Sequence, residues 1–324
     1  MEASQPVSDP GTAAGATLFG GDRRALTRAI SRCEREPDSV GQLLERAHAH
    51  ATGALRIGIT GPPGSGKSTL TDRLLGAYRR DGRKVAVVAT DPSSPYSGGS
   101  LLGDRVRMGS HAGDLGVFIR SMSTRGRLGG LNASAEMVAV LLDAEGYGPI
   151  IFETVGVGQS EVEVIDRTDT VVVVVAPGFG DDIQAEKAGL MEVGDVFVVN
   201  KADNPGATRA ARTLENMVSM CPGHGWRPPV LLTVAKTGEG VDEVVDAIRS
   251  HHESMAESGA LRSRRRARAE AEISRMIERL AAQATEPEVA RYSEAVIAGA
   301  ADPWSAAAEI FDSFRTGEHR PRGQ

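Results

Sequence analysis

Aromatic side chains are scarce in this chain: Phe, Trp and Tyr make up 4% of its 324 residues, so a core must be aliphatic. Cysteine is scarcer still. Cys33 and Cys221 lie far apart without metal-site spacing, which excludes a disulfide-stapled scaffold and suits two free thiols in a reducing cytosol. No apolar run approaches the roughly 18 residues that cross a bilayer. The strongest candidate, 171–176, is a strand-length run of valines ending in alanine. An excess of one charge is also missing: the net charge of −6 gives no whole-protein argument for nucleic-acid or membrane binding. The N-terminus lacks the basic-then-apolar order of a secretory signal, so a cytoplasmic location is expected.

What is present is ordinary globular material, 40% hydrophobic and long enough to bury a sizeable core. Residues 1–20, rich in Gly, Ala, Ser and Pro, read as a disordered tail. Residues 21–54 read as an N-terminal helical extension of two short helices split near Pro37. Short runs at 55–60, 84–90, 117–120, 149–154, 170–176, 195–200 and 229–235, most of them rich in Val and Ile, alternate with helical patterns at 67–80, 132–145, 185–192 and 207–220. Strands separated by helix-length crossovers predict an α/β domain over 55–258, with a mostly parallel sheet covered by helices. Beyond 241 the strand signal stops. Helices are expected at 241–256, 262–283, 288–298 and 303–314, with 259–316 forming a C-terminal helical segment and 317–324 a tail.

The most informative stretch is Gly61-Pro-Pro-Gly64-Ser65-Gly66-Lys67-Ser68, which matches G-x-x-x-x-G-K-[ST] between a predicted strand and a predicted helix. Gly61, Gly64 and Gly66 let the backbone bend around a polyphosphate, and the helix N-terminus adds positive potential. Lys67 supplies a point charge for the outer phosphates, and the Ser68 hydroxyl suits Mg²⁺; Ser65 and Thr69 complete the phosphate contacts. This pattern implies nucleoside triphosphate binding.

A second stretch, Asn200-Lys201-Ala202-Asp203, ends the predicted strand 195–200 and matches N-K-x-D. The Asp203 carboxylate can accept from the ring N–H and the amino group of guanine, which adenine does not offer. Lys201 would flank the base and Asn200 would hold the loop. A backbone N–H of Ala235, after the last strand, could meet the guanine O6. At the end of the strand 149–154, Glu153-Thr154-Val155-Gly156 places an acid where such sites order the metal shell or the attacking water. Val157 stands where Ras-like enzymes carry a water-positioning Gln, so unassisted hydrolysis is expected to be slow. Asp91 and Asp104 are further carboxylate candidates for the oxygen-rich shell of Mg²⁺, and Lys187 follows a Gly-rich loop that could approach Glu153 or the γ-phosphate. The arginine run Arg262, Arg264, Arg265, Arg266 and Arg268 reads most simply as a solvated helix face, with a docking face for an acidic partner as the other reading.

Together these residues resemble the methylmalonyl-CoA mutase-associated GTPases, the MeaB/ArgK family. The stretches that carry the resemblance are G-P-P-G-S-G-K-S-T, T-D-P-S-S-P, G-D-R-V-R-M, E-T-V-G-V-G-Q-S-E, P-G-x-G-D-x-x-Q-x-x-K and N-K-A-D. The resemblance implies a Mg²⁺-dependent enzyme that hydrolyses GTP to GDP and chaperones an adenosylcobalamin-dependent acyl-CoA mutase. It implies a homodimer held by C-terminal helices. Asp181 and Lys187 become switch-loop candidates, and Asp91, Asp104 and Glu153 metal-site candidates. No D-x-H-x-x-G pattern is present, so cobalamin itself is expected to be handled through the partner. Two rivals are a kinase linked to amino-acid transport, and a metallocentre-insertion GTPase, which would call for clustered Cys and His ligands.

Overall fold

The computed structural model describes residues 18–91, 109–111, 113–123, 134–154, 166–178, 193–220 and 225–316. It divides into two units, 1–262 and 263–324. The first is built on seven strands: β1 (Arg56–Thr60), β2 (Val85–Asp91), β3 (Val117–Ser123), β4 (Ile150–Glu153), β5 (Thr170–Val175), β6 (Val196–Asn200) and β7 (Val230–Thr233). Their order is β3-β2-β4-β1-β5-β6-β7, and every pairing is parallel. The expected α/β class is therefore observed.

Among the described residues six α-helices accompany the sheet: α1 (Arg23–Arg35), α2 (Gly41–His50), α3 (Lys67–Arg80), α4 (Ser134–Ala144), α5 (Ala207–Met220) and α6 (Val241–Ser258). Because side chains alternate along a strand, Ile57, Ile59, Val172, Val174 and Val198 face one side. There they bury Leu70, Leu74 and Leu75 of α3 with Val244 and Ile248 of α6. Val171, Val173, Phe197 and Val199 face the other side and receive Val218, Ala211 and Leu214 of α5. Both faces are covered, so the strands are continuous apolar runs rather than alternating ones. α4 is buried from Ser134 to Asp143, because α1 and α2 pack against it.

Asp143 fastens the chain where it enters β1. Its carboxylate accepts from Thr52 N (2.9 Å), Thr52 Oγ1 (2.8 Å), Gly53 N (2.9 Å) and Ala54 N (3.0 Å). Removing that acceptor strands several donors, at an expected cost of about 3 kcal/mol for Asp143→Ala. Urea denaturation checks this, and an unchanged midpoint would contradict it. Cys33 of α1 is free and fully buried, and burial pushes its thiol up to about 12, which makes it chemically inert at neutral pH. Cys221 lies outside the described residues.

The second unit holds most of α7 (Ala260–Ile297), followed by α8 (Pro303–Thr316). Here the sequence reading is corrected: the helices expected at 262–283 and 288–298 are one, continuing through Pro287. Proline removes one donor from the helix ladder, but α7 has no buried residue, so water reaches its backbone and the helix need not stop. Ile273, Ile277 and Leu280 are each more than half exposed, at helical spacing along one stripe. Tyr292 donates its hydroxyl to Glu309 Oε2 (2.6 Å), linking α7 to α8.

Candidate nucleotide-binding site

Parallel strands deliver all their C-terminal ends to one edge of the sheet, and β1 sits at the point where the chain order reverses. From β1 the chain passes through α3 to β2, while β4 leads across β1 to β5. Open α/β sheets bind ligands in the crevice at such a point. The loop 61–66 leaves β1 there and turns into α3. Two glycines are required by space as well as by backbone angle. A Cβ on Gly61 (φ 133°) would lie 2.0 Å from the Val174 carbonyl oxygen, and one on Gly66 (φ 96°) 2.2 Å from Asn200 Nδ2. Lys67, the first residue of α3, is buried, and its Nζ donates to the carbonyls of Gly61 (2.7 Å) and Pro62 (3.1 Å). The loop thus holds its own lysine in place. Ser68 Oγ donates to Glu153 Oε1 at 2.5 Å, joining the helix start to the end of β4. Ser65 is fully buried, and its Oγ has no hydrogen-bond partner among the described residues.

Beside this loop lies a cleft of about 310 Å³ lined by Gly66, Thr69, Asn200, Lys201, Asp203 and Ala235, with Asn204, Val234 and Lys236 completing it. Asn200 is the joint between base side and phosphate side. Its Nδ2 donates to Ser65 O (2.8 Å), and its Oδ1 accepts from Thr233 Oγ1 (3.2 Å) and Ala235 N (3.0 Å). Lys201 takes a left-handed backbone (φ 58°) that turns the chain sharply off β6, and its Nζ donates to Gly64 O (2.8 Å). Its four-carbon stem is thereby drawn towards the phosphate loop, and Asp203 stands exposed at the rim.

Most of the expected residues therefore converge: Gly61, Gly64, Ser65, Gly66, Lys67, Ser68, Thr69, Glu153, Asn200, Lys201, Asp203 and Ala235 share one edge. Ala235 differs in detail. The N–H expected to meet guanine O6 donates here to Asn200 Oδ1, and Ala235 lines the cleft. Asp91 closes β2 on the same edge of the sheet. Asp104, Asp181, Lys187, Gly156, Val157 and the expected helix 185–192 lie outside the described residues. The sequence marks Thr233-Val234-Ala235-Lys236 only for a backbone N–H. It gives no role to the Thr233 hydroxyl, which supports Asn200, or to Lys236 and Asn204, both of which line the cleft. Position beside already chosen residues was the available signal for all three.

A glycine-rich phosphate loop opening a helix, joined through Asn200 to an N-K-x-D corner on a parallel sheet, defines a P-loop GTPase: an enzyme that binds guanine nucleotides and hydrolyses GTP. The chain belongs to the methylmalonyl-CoA mutase-associated GTPase MeaB family, whose model matches residues 23–288. A protein of Pyrococcus horikoshii is 44% identical over 304 residues, covering 92% of this chain and 96% of the relative. GTPase ArgK of Escherichia coli is 40% identical over 253 residues, 75% of this chain and 76% of its own length. The methylmalonic aciduria type A homolog of Mus musculus, a mitochondrial protein, is 39% identical over 215 residues, 65% of this chain and 52% of that protein. Among solved structures, that of a LAO/AO transport system kinase matches with a TM-score of 0.70 and 27% identity, over 96% of this chain and all of the other.

Proposed function

We propose that this GTPase is a Mg²⁺-dependent switch that chaperones an adenosylcobalamin-dependent acyl-CoA mutase, methylmalonyl-CoA mutase in the first instance, gating its cofactor loading and protecting it. The partner rests on the family's own description and on the mouse relative, whose name refers to a methylmalonic acid disorder. The switch rests on one observation: the Ser68–Glu153 hydrogen bond ties the phosphate loop directly to the end of β4, where the segment 155–165 begins.

In this reading Lys67 and the loop N–H groups hold the phosphates, and Asp203 selects guanine. Ser68 and Glu153 offer adjacent oxygens, which suits a hard cation that keeps much of its water shell, with Asp91 and Asp104 as further candidates. When bound, Mg²⁺ neutralises charge on the β- and γ-phosphates. Glu153 would order a metal-bound water or the attacking water, and Lys187 would be the further candidate to assist it. Loss of the γ-phosphate then relaxes the segments carrying Asp104, Gly156 and Asp181, and the partner reads the change of shape. The exposed stripe of Ile273, Ile277 and Leu280 supports a homodimer through α7. Among the described residues no helix is long and apolar enough to cross a membrane.

Pull-down with candidate mutases, with GTP hydrolysis measured with and without each, tests the proposal. A complex and faster hydrolysis are expected. No complex and no acceleration with any cobalamin enzyme would remove the chaperone role and leave the GTPase intact. The solved LAO/AO transport system kinase favours a second reading, phosphoryl transfer to another protein. Labelled phosphate appearing on any acceptor other than water would support it.

A further inference from the structure

One arginine closes the nucleotide site into a ring without touching the cleft. Arg73 lies on α3, one helical turn beyond Thr69 and on the same face, and Thr69 lines the cleft. Its Nε donates to Ala235 O (2.9 Å) and its Nη2 to Lys236 O (2.5 Å), spanning two consecutive carbonyls of the segment after β7. That segment's Ala235 N–H holds Asn200 Oδ1, Asn200 Nδ2 holds Ser65 O, and Ser65 leads through Gly66 back into α3. The hydrogen bonds therefore run from α3 through the base-side segment and the corner at β6 to the phosphate loop, and return to α3.

We propose that Arg73 is a positioning residue for guanine recognition: it seats residues 235–236 so that Asn200 holds the corner and Asp203 meets the base at a fixed distance from the phosphate loop. The proposal rests on the assignment of the cleft to guanine. The planar guanidinium fork matches two neighbouring carbonyls in a way that a lysine's single ammonium does not. The turn itself keeps its own bonds, Val234 N to Glu239 O (3.0 Å) and Thr237 N to Val234 O (2.9 Å), so loss of Arg73 unseats the turn without unfolding it. Arg73 is also exposed, so shortening it leaves no hole in the core.

Calorimetry with GDP and ADP, and steady-state hydrolysis of GTP, are run on the full chain and on Arg73→Ala and Arg73→Lys. For Arg73→Ala, GDP affinity and the KM for GTP are expected to worsen about five-fold, while kcat changes less than about two-fold, the size of effect two exposed charge-assisted hydrogen bonds can exert. The preference for GDP over ADP narrows by the same factor, and Arg73→Lys falls between the two. Thermal unfolding without nucleotide stays close to wild type. GDP affinity in Arg73→Ala within two-fold of wild type, or kcat and KM failing together, would overturn the proposal. Wild-type protein without a preference for GDP over ADP would instead overturn the guanine assignment beneath it, and the two failures are told apart by which protein shows them.

Discussion

Lys67→Ala is expected to lower GTP turnover by at least about a hundred-fold, the usual loss when a preorganised cation is removed from developing phosphate charge. The expectation is large because the side chain is already in place. It is buried, and its Nζ is held by the Gly61 and Pro62 carbonyls at 2.7 and 3.1 Å, so nucleotide binding need not order a free lysine. A surface lysine would pay rotamer entropy on every turnover; this one has lost most of it on folding. Single-turnover hydrolysis, with circular dichroism to verify the fold, checks the prediction. Turnover within ten-fold of wild type would place the phosphate charge elsewhere.

Asp203→Asn is expected to weaken GDP by about a hundred-fold and to make the diphosphate of xanthosine the better ligand, since loss of a paired acceptor leaves guanine's donors unsatisfied. The chemistry is specific. A carboxylate only accepts, which matches the ring N–H and amino group of guanine. An amide accepts at Oδ1 and donates at Nδ2, which matches a ring N–H beside the xanthine carbonyl. Because Asp203 sits exposed at the rim, the effect falls short of the limit for a fully desolvated pair. Competition calorimetry measures both ligands, and an unchanged preference for GDP would remove Asp203 from base recognition.

The sequence was most legible where local chemistry decides the outcome. Helices α3 and α5 carry the expected bounds because glycines with positive φ punctuate both starts, Gly66 at 96° and Gly206 at 92°. The Val and Ile runs became strands because burial on both faces leaves no polar alternation to misread. The order of those strands was not written locally. β4 comes to lie between β2 and β1 only because the crossover through α4 returns the chain across the sheet. Pro287 misled in the other direction: a strong local breaker sits in a helix exposed enough to tolerate it. In the site, the glycines, Lys67, Ser68 and the N-K-x-D residues announce themselves by spacing. Arg73 does not, since the carbonyls it holds are 162 and 163 positions away and an exposed helical arginine otherwise reads as a solvated charge.

The central claim is that one guanine nucleotide spans the loop at Lys67 and the cleft at Asp203. Titration of the purified chain with GDP and with ADP in a calorimeter measures this directly. Saturable binding of GDP, at least about a hundred-fold tighter than ADP, is the predicted result for a site that pairs the base's own donors. No binding of GDP, or equal affinity for both nucleotides, would contradict it.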